Sequence, residues 1–176
     1  MTKSIWAIDP THSEIGFKVK HMMFTNVSGK FITYHATIEN NEEAFETSDI
    51  TFSAEVNSVD TANADRDNHL RSADFFDAEN FQKLTFKSTS VKKINEGSYV
   101  ISGDLTIKDV TKNIDLETEY SGMMQDPWGN TKIGLSITGK INRKEFGLTW
   151  NAALETGGVL VGEDIKLNAE IQFVKQ

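Results

Sequence analysis

Ile133-Gly134-Leu135-Ser136-Ile137-Thr138-Gly139-Lys140-Ile141 puts its branched apolar residues at odd positions and Ser136, Thr138 and Lys140 at even ones. Successive side chains of an extended chain point to opposite faces, so a period of two reads as a strand with one dry face and one wet face. The same rhythm recurs on both sides of this stretch. It runs through Ile15, Phe17 and Val19, then Ile50, Phe52, Ala54 and Val56, then Leu84 and Phe86. Further on come Tyr99, Ile101, Gly103, Leu105 and Ile107, then Ile114, Leu116, Thr118 and Tyr120, and finally Ile165, Leu167, Ala169, Ile171 and Phe173. Between Lys30 and Glu39 the parity changes: Phe31 falls out of phase with Tyr34, Ala36 and Ile38, which predicts a bulge between them. Turn signals at Asn95-Glu96-Gly97, Asp126-Pro127-Trp128-Gly129-Asn130 and Gly157-Gly158 separate the runs. Many strands with short connections make an antiparallel barrel or a sandwich, and persistent one-sided alternation favours the barrel, whose closure leaves no edge exposed.

One segment interrupts the strands. Residues 61–81 read TANADRDNHLRSADFFDAENF, with helix signals in place of alternation. Asn63 or Thr61 is placed to cap a short helix with Asp65 near its positive end and an apolar side of Ala62, Leu70 and Ala73. Phe75, Phe76 and Phe81 follow it, so the excursion reads as a lid, or simply as a helix closing one end of the core.

The whole chain, residues 1–176, is expected to form one domain. It has no cysteine, which excludes a disulfide scaffold, a thiolate nucleophile and a cysteine-based zinc site. A net charge of −8 argues against a nucleic-acid partner and against docking to an anionic membrane through a broad basic surface. No run reaches the length of a transmembrane helix, so no integral membrane association is expected. With no apolar leader ahead of Trp6, the expected location is the cytoplasm, or the periplasm or exterior if a leader has been trimmed away.

The chemistry-bearing residues do not assemble into a catalytic pattern. His12, His21, His35 and His69 include no HExxH and no pair four apart, so no metal is expected. No GxSxG elbow and no phosphate-binding glycine loop occurs. Asp65, Asp67, Asp74 and Asp77 surround Arg66 and Arg71 with a spacing that suits a solvated helix carrying internal ion pairs. What remains is apolar interior. Eleven Phe and three Trp against three Tyr supply large inward area with few hydroxyls to satisfy. Alternation alone leaves open whether that interior is filled by side chains or hollow.

In chain order, several blocks resemble the YceI-like family of lipocalin-like, polyisoprenoid-binding proteins. They are Trp6-Ala7-Ile8-Asp9, His12-Ser13-Glu14-Ile15-Gly16-Phe17, His21-Met22 and Val27-Ser28-Gly29-Lys30-Phe31, followed by the central block Arg66 to Asp77. Phe86-Lys87-Ser88, Gly103 to Ile107 with Val110-Thr111-Lys112, and Ile141 to Leu148 complete the series. The chain departs from the family pattern at Gln82 and Asn113, where proline is expected, and at Asp109, where glycine is expected.

The resemblance implies an all-β fold: an extended eight-stranded antiparallel lipocalin-like barrel with a short helical lid segment, often a homodimer, binding an isoprenoid-type lipid. Carried onto this chain, the pocket wall comprises Phe17, Val19, Phe31, Phe52, Phe86, Leu105, Leu116, Leu135, Ile137 and Trp150. The lid comprises Leu70, Phe75 and Phe76, and the polar rim His21, Arg66, His69, Arg71 and Arg143. For the arginines, an ion pair with Asp67, Asp74 or Glu145 is the competing role. No cofactor is expected, and the function implied is a non-enzymatic carrier or buffer of a polyisoprenoid or isoprenoid quinone. Two other readings stand beside it: an enzyme acting on a small apolar substrate through His21, His69 and a carboxylate at the pocket mouth, and an interaction module whose barrel is solidly packed.

Overall fold

The structure is a computed structural model that describes residues 3–41, 44–152, 154 and 160–176. The Gly157-Gly158 turn signal lies outside the described residues. Eleven strands are present among the described residues: β1 (Lys3–Ile8), β2 (Glu14–His21), β3 (Thr25–Phe31), β4 (Tyr34–Asn41), β5 (Ala44–Glu55) and β6 (Val59–Asp60) precede the helix α1 (Ala64–Arg71). After it come β7 (Lys83–Asn95), β8 (Ser98–Ile107), β9 (Val110–Gln125), β10 (Thr131–Asn142) and β11 (Val161–Lys175).

These strands trace eight antiparallel paths, because three of the paths are broken once. β1 and β2 lie end to end and share β11 as a neighbour, with β4 and β3 on their other side. β3 runs on into β4, and β5 into β6, in the same way. Each path then pairs with the next in sequence, and β1 with β2 closes on β11, giving an up-and-down barrel.

The breaks are where polar groups replace the ladder. Pro10 cannot donate a backbone hydrogen bond. The chain turns there through Pro10–His12, with the Asp9 carboxylate accepting from the Thr11 N–H. The Ser13 hydroxyl donates to the Asp9 carbonyl and accepts from the Gln172 N–H, and Tyr34 Oη donates to the Ser13 carbonyl at 2.9 Å. The parity change after Phe31 has a different cause from the bulge expected. Residues 32 and 33 form a bend facing the turn at Val56–Ser58, and the two breaks bond each other: Ile32 N–H to the Ser58 carbonyl, Thr33 N–H to Ser58 Oγ, and Glu55 N–H to the Thr33 carbonyl. Two adjacent paths therefore kink together, and the barrel bends there as one wall.

The barrel end at Lys3, Asn41 and Asn95 is packed solid. Trp6, Ile38, Ile101, Ile133 and Phe173 are fully buried, and Phe45 stacks on Tyr120 at 4.4 Å and meets Tyr99 edge-on at 4.9 Å. Trp6 Nε1 donates to the side-chain oxygen of the buried Asn40, whose amide donates to Ser48 Oγ, and among the described residues no buried side-chain polar atom is left unpaired. Of the three family departures, Asn113 lies inside β9, where its amide reaches Thr89 and Asp104 on the outer surface.

Candidate functional site: a half-hollow barrel

Above this packed floor the side chains leave the barrel hollow. A cavity of about 570 Å³ runs from Ile101, Leu135, Ile171 and Phe173 toward the end that carries α1. That volume falls in the ordinary range for small-molecule sites.

Part of the emptiness is due to glycines. Phe17 on β2 stands directly opposite Gly29 on β3, and a Cβ at Gly29 would come within 2.3 to 2.9 Å of three Phe17 ring carbons. The ring thus lies flat on bare backbone. Phe86 covers Gly103 in the same manner, and Leu116 covers Gly139. Each pair presses a large side chain against the wall that would otherwise project into the lumen.

The structure lines the cavity with Phe17, Val19, Phe31, Phe52 and Phe86, and on the opposite strands with Leu105, Leu116, Leu135 and Ile137. Sequence reasoning omitted others of the same parity, among them Ile15, Ala36, Ile50 and Leu167, which alternation alone would have found. Leu70, Phe75 and Phe76 line the α1 end, with Phe76 edge-on to Phe31 at 6.0 Å. Beside them Trp150, Phe75 and His69 form an aromatic cluster, with the His69 ring 4.5 Å from Trp150 and 5.1 Å from Phe75.

The lid is built differently from the expected amphipathic helix. Asn63 caps α1 by accepting from the Arg66 N–H, as its position predicts. Ala62 and Ala73, however, are exposed, and the buried residue of the helix is Asp67. Its carboxylate accepts from both the backbone N–H and the hydroxyl of Thr61. Arg66 donates to the Thr61 hydroxyl and carbonyl, and Arg71 to the carbonyls of Asn57 and Val59. Polar bonds to the end of β6 therefore hold the helix in place.

The polar residues separate into two groups. His21, Arg66 and His69 line the cavity at its mouth, where Lys20, Thr61 and Asp65 join them. His69 Nε2 lies 2.9 Å from Asp74, and among the described residues no Ser or Thr hydroxyl bonds to the His69 ring, the Ser72 hydroxyl donating to its backbone carbonyl instead. Arg71 is not on the cavity wall, since its guanidinium is committed to the carbonyls named above and to Asn68. Arg143 touches the cavity but is 2 % exposed and supports the backbone. It donates to the carbonyls of Leu148, Trp150, Val161 and Gly162 at 2.7 to 3.2 Å, and among the described residues it has no ion pair. Burial pushes its pKa down, opposed by the nearby Glu163. Arg143 is thus the clamp that seats Trp150 at the mouth. The pairings expected for arginines with Asp67, Asp74 and Glu145 give way to carbonyl bonds, which need no second buried charge.

Comparisons with known proteins agree with this architecture. A UPF0312 protein of Staphylococcus aureus (strain USA300) is 37% identical over 169 residues, covering 96% of each chain. BcnA of Burkholderia cenocepacia superposes with a TM-score of 0.80 at 18% identity, over 94% of this chain and 98% of that one. A polyisoprenoid binding domain from Saccharophagus degradans superposes with a TM-score of 0.75 at 13% identity, over 97% and 98%. The profile of the YceI-like domain matches residues 6–173, and with the closed barrel, its lid and its cavity in place, the chain belongs to that family.

Proposed function

We propose that the chain carries or buffers an isoprenoid-type lipid, a polyisoprenoid or an isoprenoid quinone, with the hydrocarbon in the barrel and the head group at the mouth. The observation that carries this reading is the cavity itself, apolar along its depth and polar at one end. Burying ten methylene-sized groups there contributes a gross ~8 kcal/mol, at about 0.8 kcal/mol each. That exceeds the lower range of association costs, which begins near about 4 kcal/mol. In this reading Arg66 and His69, at the mouth, meet a hydroxyl, quinone or phosphate oxygen, and the wall residues Phe17, Phe31, Phe76 and Trp150 contact the chain. The polyisoprenoid binding named for the Saccharophagus domain is consistent with this reading.

The test is solvent extraction of purified protein followed by mass spectrometry, paired with thermal denaturation in added prenols. Ligand at a hundredfold its Kd contributes about 2.7 kcal/mol. For a chain of this size that is an upward Tm shift of about 5–10 °C. Preparations free of lipid, together with a Tm that no prenol moves, would refute the reading.

A further inference from the structure

The β2–β3 hairpin exposes its most apolar residues at the cavity mouth. Met22, Met23 and Phe24 are 42 %, 63 % and 82 % exposed. Met22 and Met23 have φ of 51° and 64° in the three-residue loop between His21 and Thr25, the left-handed region where turns favour Asn and Gly. A non-glycine residue held there is strained, and here the strain serves to hold an apolar tip in water. The tip is continuous with the cavity rim: His21 lines the cavity, and the Met22 N–H donates at 2.8 Å to the carbonyl of Leu160, which lines it too.

The outer face just behind the tip is basic in a chain of net charge −8. Lys18, Lys20 and Lys166 are exposed, and Lys18 stands directly opposite Lys166 on β11, a like-charge register that works against pairing. Among the described residues none of these three has an ion pair. The acids nearest them along β11 are already engaged, Glu163 with Lys144 at 2.9 Å and Asp164 with Lys140 at 3.5 Å. Local positive charge thus survives where the overall balance is acidic.

We propose that Met22, Met23 and Phe24 insert into an anionic lipid bilayer while Lys18, Lys20 and Lys166 engage its head groups, setting the cavity mouth against the membrane from which the lipid enters. Apolar insertion and attraction to anionic lipid are the two components of reversible interfacial binding. The proposal rests on the lipid-carrier reading above and extends it to the source of the ligand.

The experiment is flotation of the full chain with vesicles of phosphatidylglycerol and phosphatidylcholine, against vesicles of phosphatidylcholine alone. The expected result is binding at least about tenfold stronger to the anionic vesicles, a preference lost in about 1 M salt, where the Debye length falls to about 3 Å. A Met22→Asn/Met23→Gly/Phe24→Ser variant, whose turn suits its residues better, melts no lower than wild type yet loses vesicle binding about tenfold or more. Lys18→Gln/Lys20→Gln/Lys166→Gln equalises the two vesicle types. Trp128→Ser, at the opposite end of the barrel, leaves binding unchanged. Farnesol uptake in the absence of vesicles, followed by tryptophan fluorescence, is retained in the tip variant. Loss of that uptake in wild type would refute the carrier reading and not the docking. The docking is overturned if the tip variant floats like wild type, if Trp128→Ser loses binding equally, or if the tip variant instead turns a dimer into a monomer in sedimentation.

Discussion

Gly29→Ala tests why this barrel is hollow. The added methyl would sit 2.3, 2.8 and 2.9 Å from three ring carbons of Phe17, with no backbone atom among its nearest neighbours. Ordinary carbon–carbon contact is about 3.5 Å or more, so the ring must retreat by about 1 Å, and the open space on that side is the cavity. Overpacking a closed core costs about 1–3 kcal/mol, and relaxation into empty space puts this substitution at the lower end. The expected fall in Tm is about 2–4 °C for about 1 kcal/mol. Lipid occupancy by mass spectrometry should fall more steeply than stability, because the displaced ring occupies ligand volume. Adding Phe17→Leu removes the ring and should restore occupancy, so a double-mutant cycle on Tm and occupancy shows coupling of at least about 0.5 kcal/mol. Additive effects in that cycle, or full occupancy in Gly29→Ala alone, would refute the idea that the glycine makes room for the ring.

Other substitutions examine the supports around the cavity. Arg143→Met leaves the buried carbonyl of Leu148 and the part-buried carbonyls of Trp150 and Gly162 without this donor, and the expected loss is about 3 kcal/mol, a fall in Tm of about 6–12 °C. Arg143→Lys should recover only part of that, since one ammonium cannot span the same set of carbonyls; full recovery in a melting experiment would contradict the clamp. Met22→Asn/Met23→Gly should raise stability by about 1–2 kcal/mol in urea titration, by relieving the left-handed strain. Asp9 is held well below the usual carboxylate range by the Thr11 hydroxyl, then by His12, with Lys132 at 3.3 Å adding to it. A depressed folded pKa gives stability that is present above the ordinary carboxylate pKa of about 4 and is lost as pH falls toward the folded value. The Tm gap between wild type and Asp9→Asn should therefore be widest above about pH 5 and close on acidification, and a gap independent of pH would remove Asp9 from the account.

The barrel was legible in the sequence because strand parity is a local property. Ile133 to Ile141 alternates whatever its neighbours do, and the wall residues follow from that parity. What escaped depends on register between strands. That Phe17 faces Gly29, or that Phe86 covers Gly103, cannot be read from either strand alone, and those pairs bear on whether the lumen is full. The change of phase after Phe31 was visible, but its cause lay in a second break at Val56–Ser58, some 25 positions away, to which it bonds. The arginines misled for a different reason. Composition cannot distinguish an Arg at a solvated rim from one whose fork is saturated by carbonyls, and Arg143 and Arg71 are of the second kind. Only packing decides between those roles.

The fastening of α1 by Asp67, Arg66 and Arg71 has a thermodynamic consequence. Of its own residues only Leu70 packs on the apolar core, so lifting the helix exchanges protein hydrogen bonds for bonds to water and exposes little hydrocarbon. Such an opening carries a small heat-capacity change and a small dependence on urea, unlike the unzipping of β7 or β8, which uncovers the lumen wall. Amide exchange in Ala64–Arg71 should then proceed at nearly the same rate in dilute denaturant as in water, while the strands beneath it respond steeply.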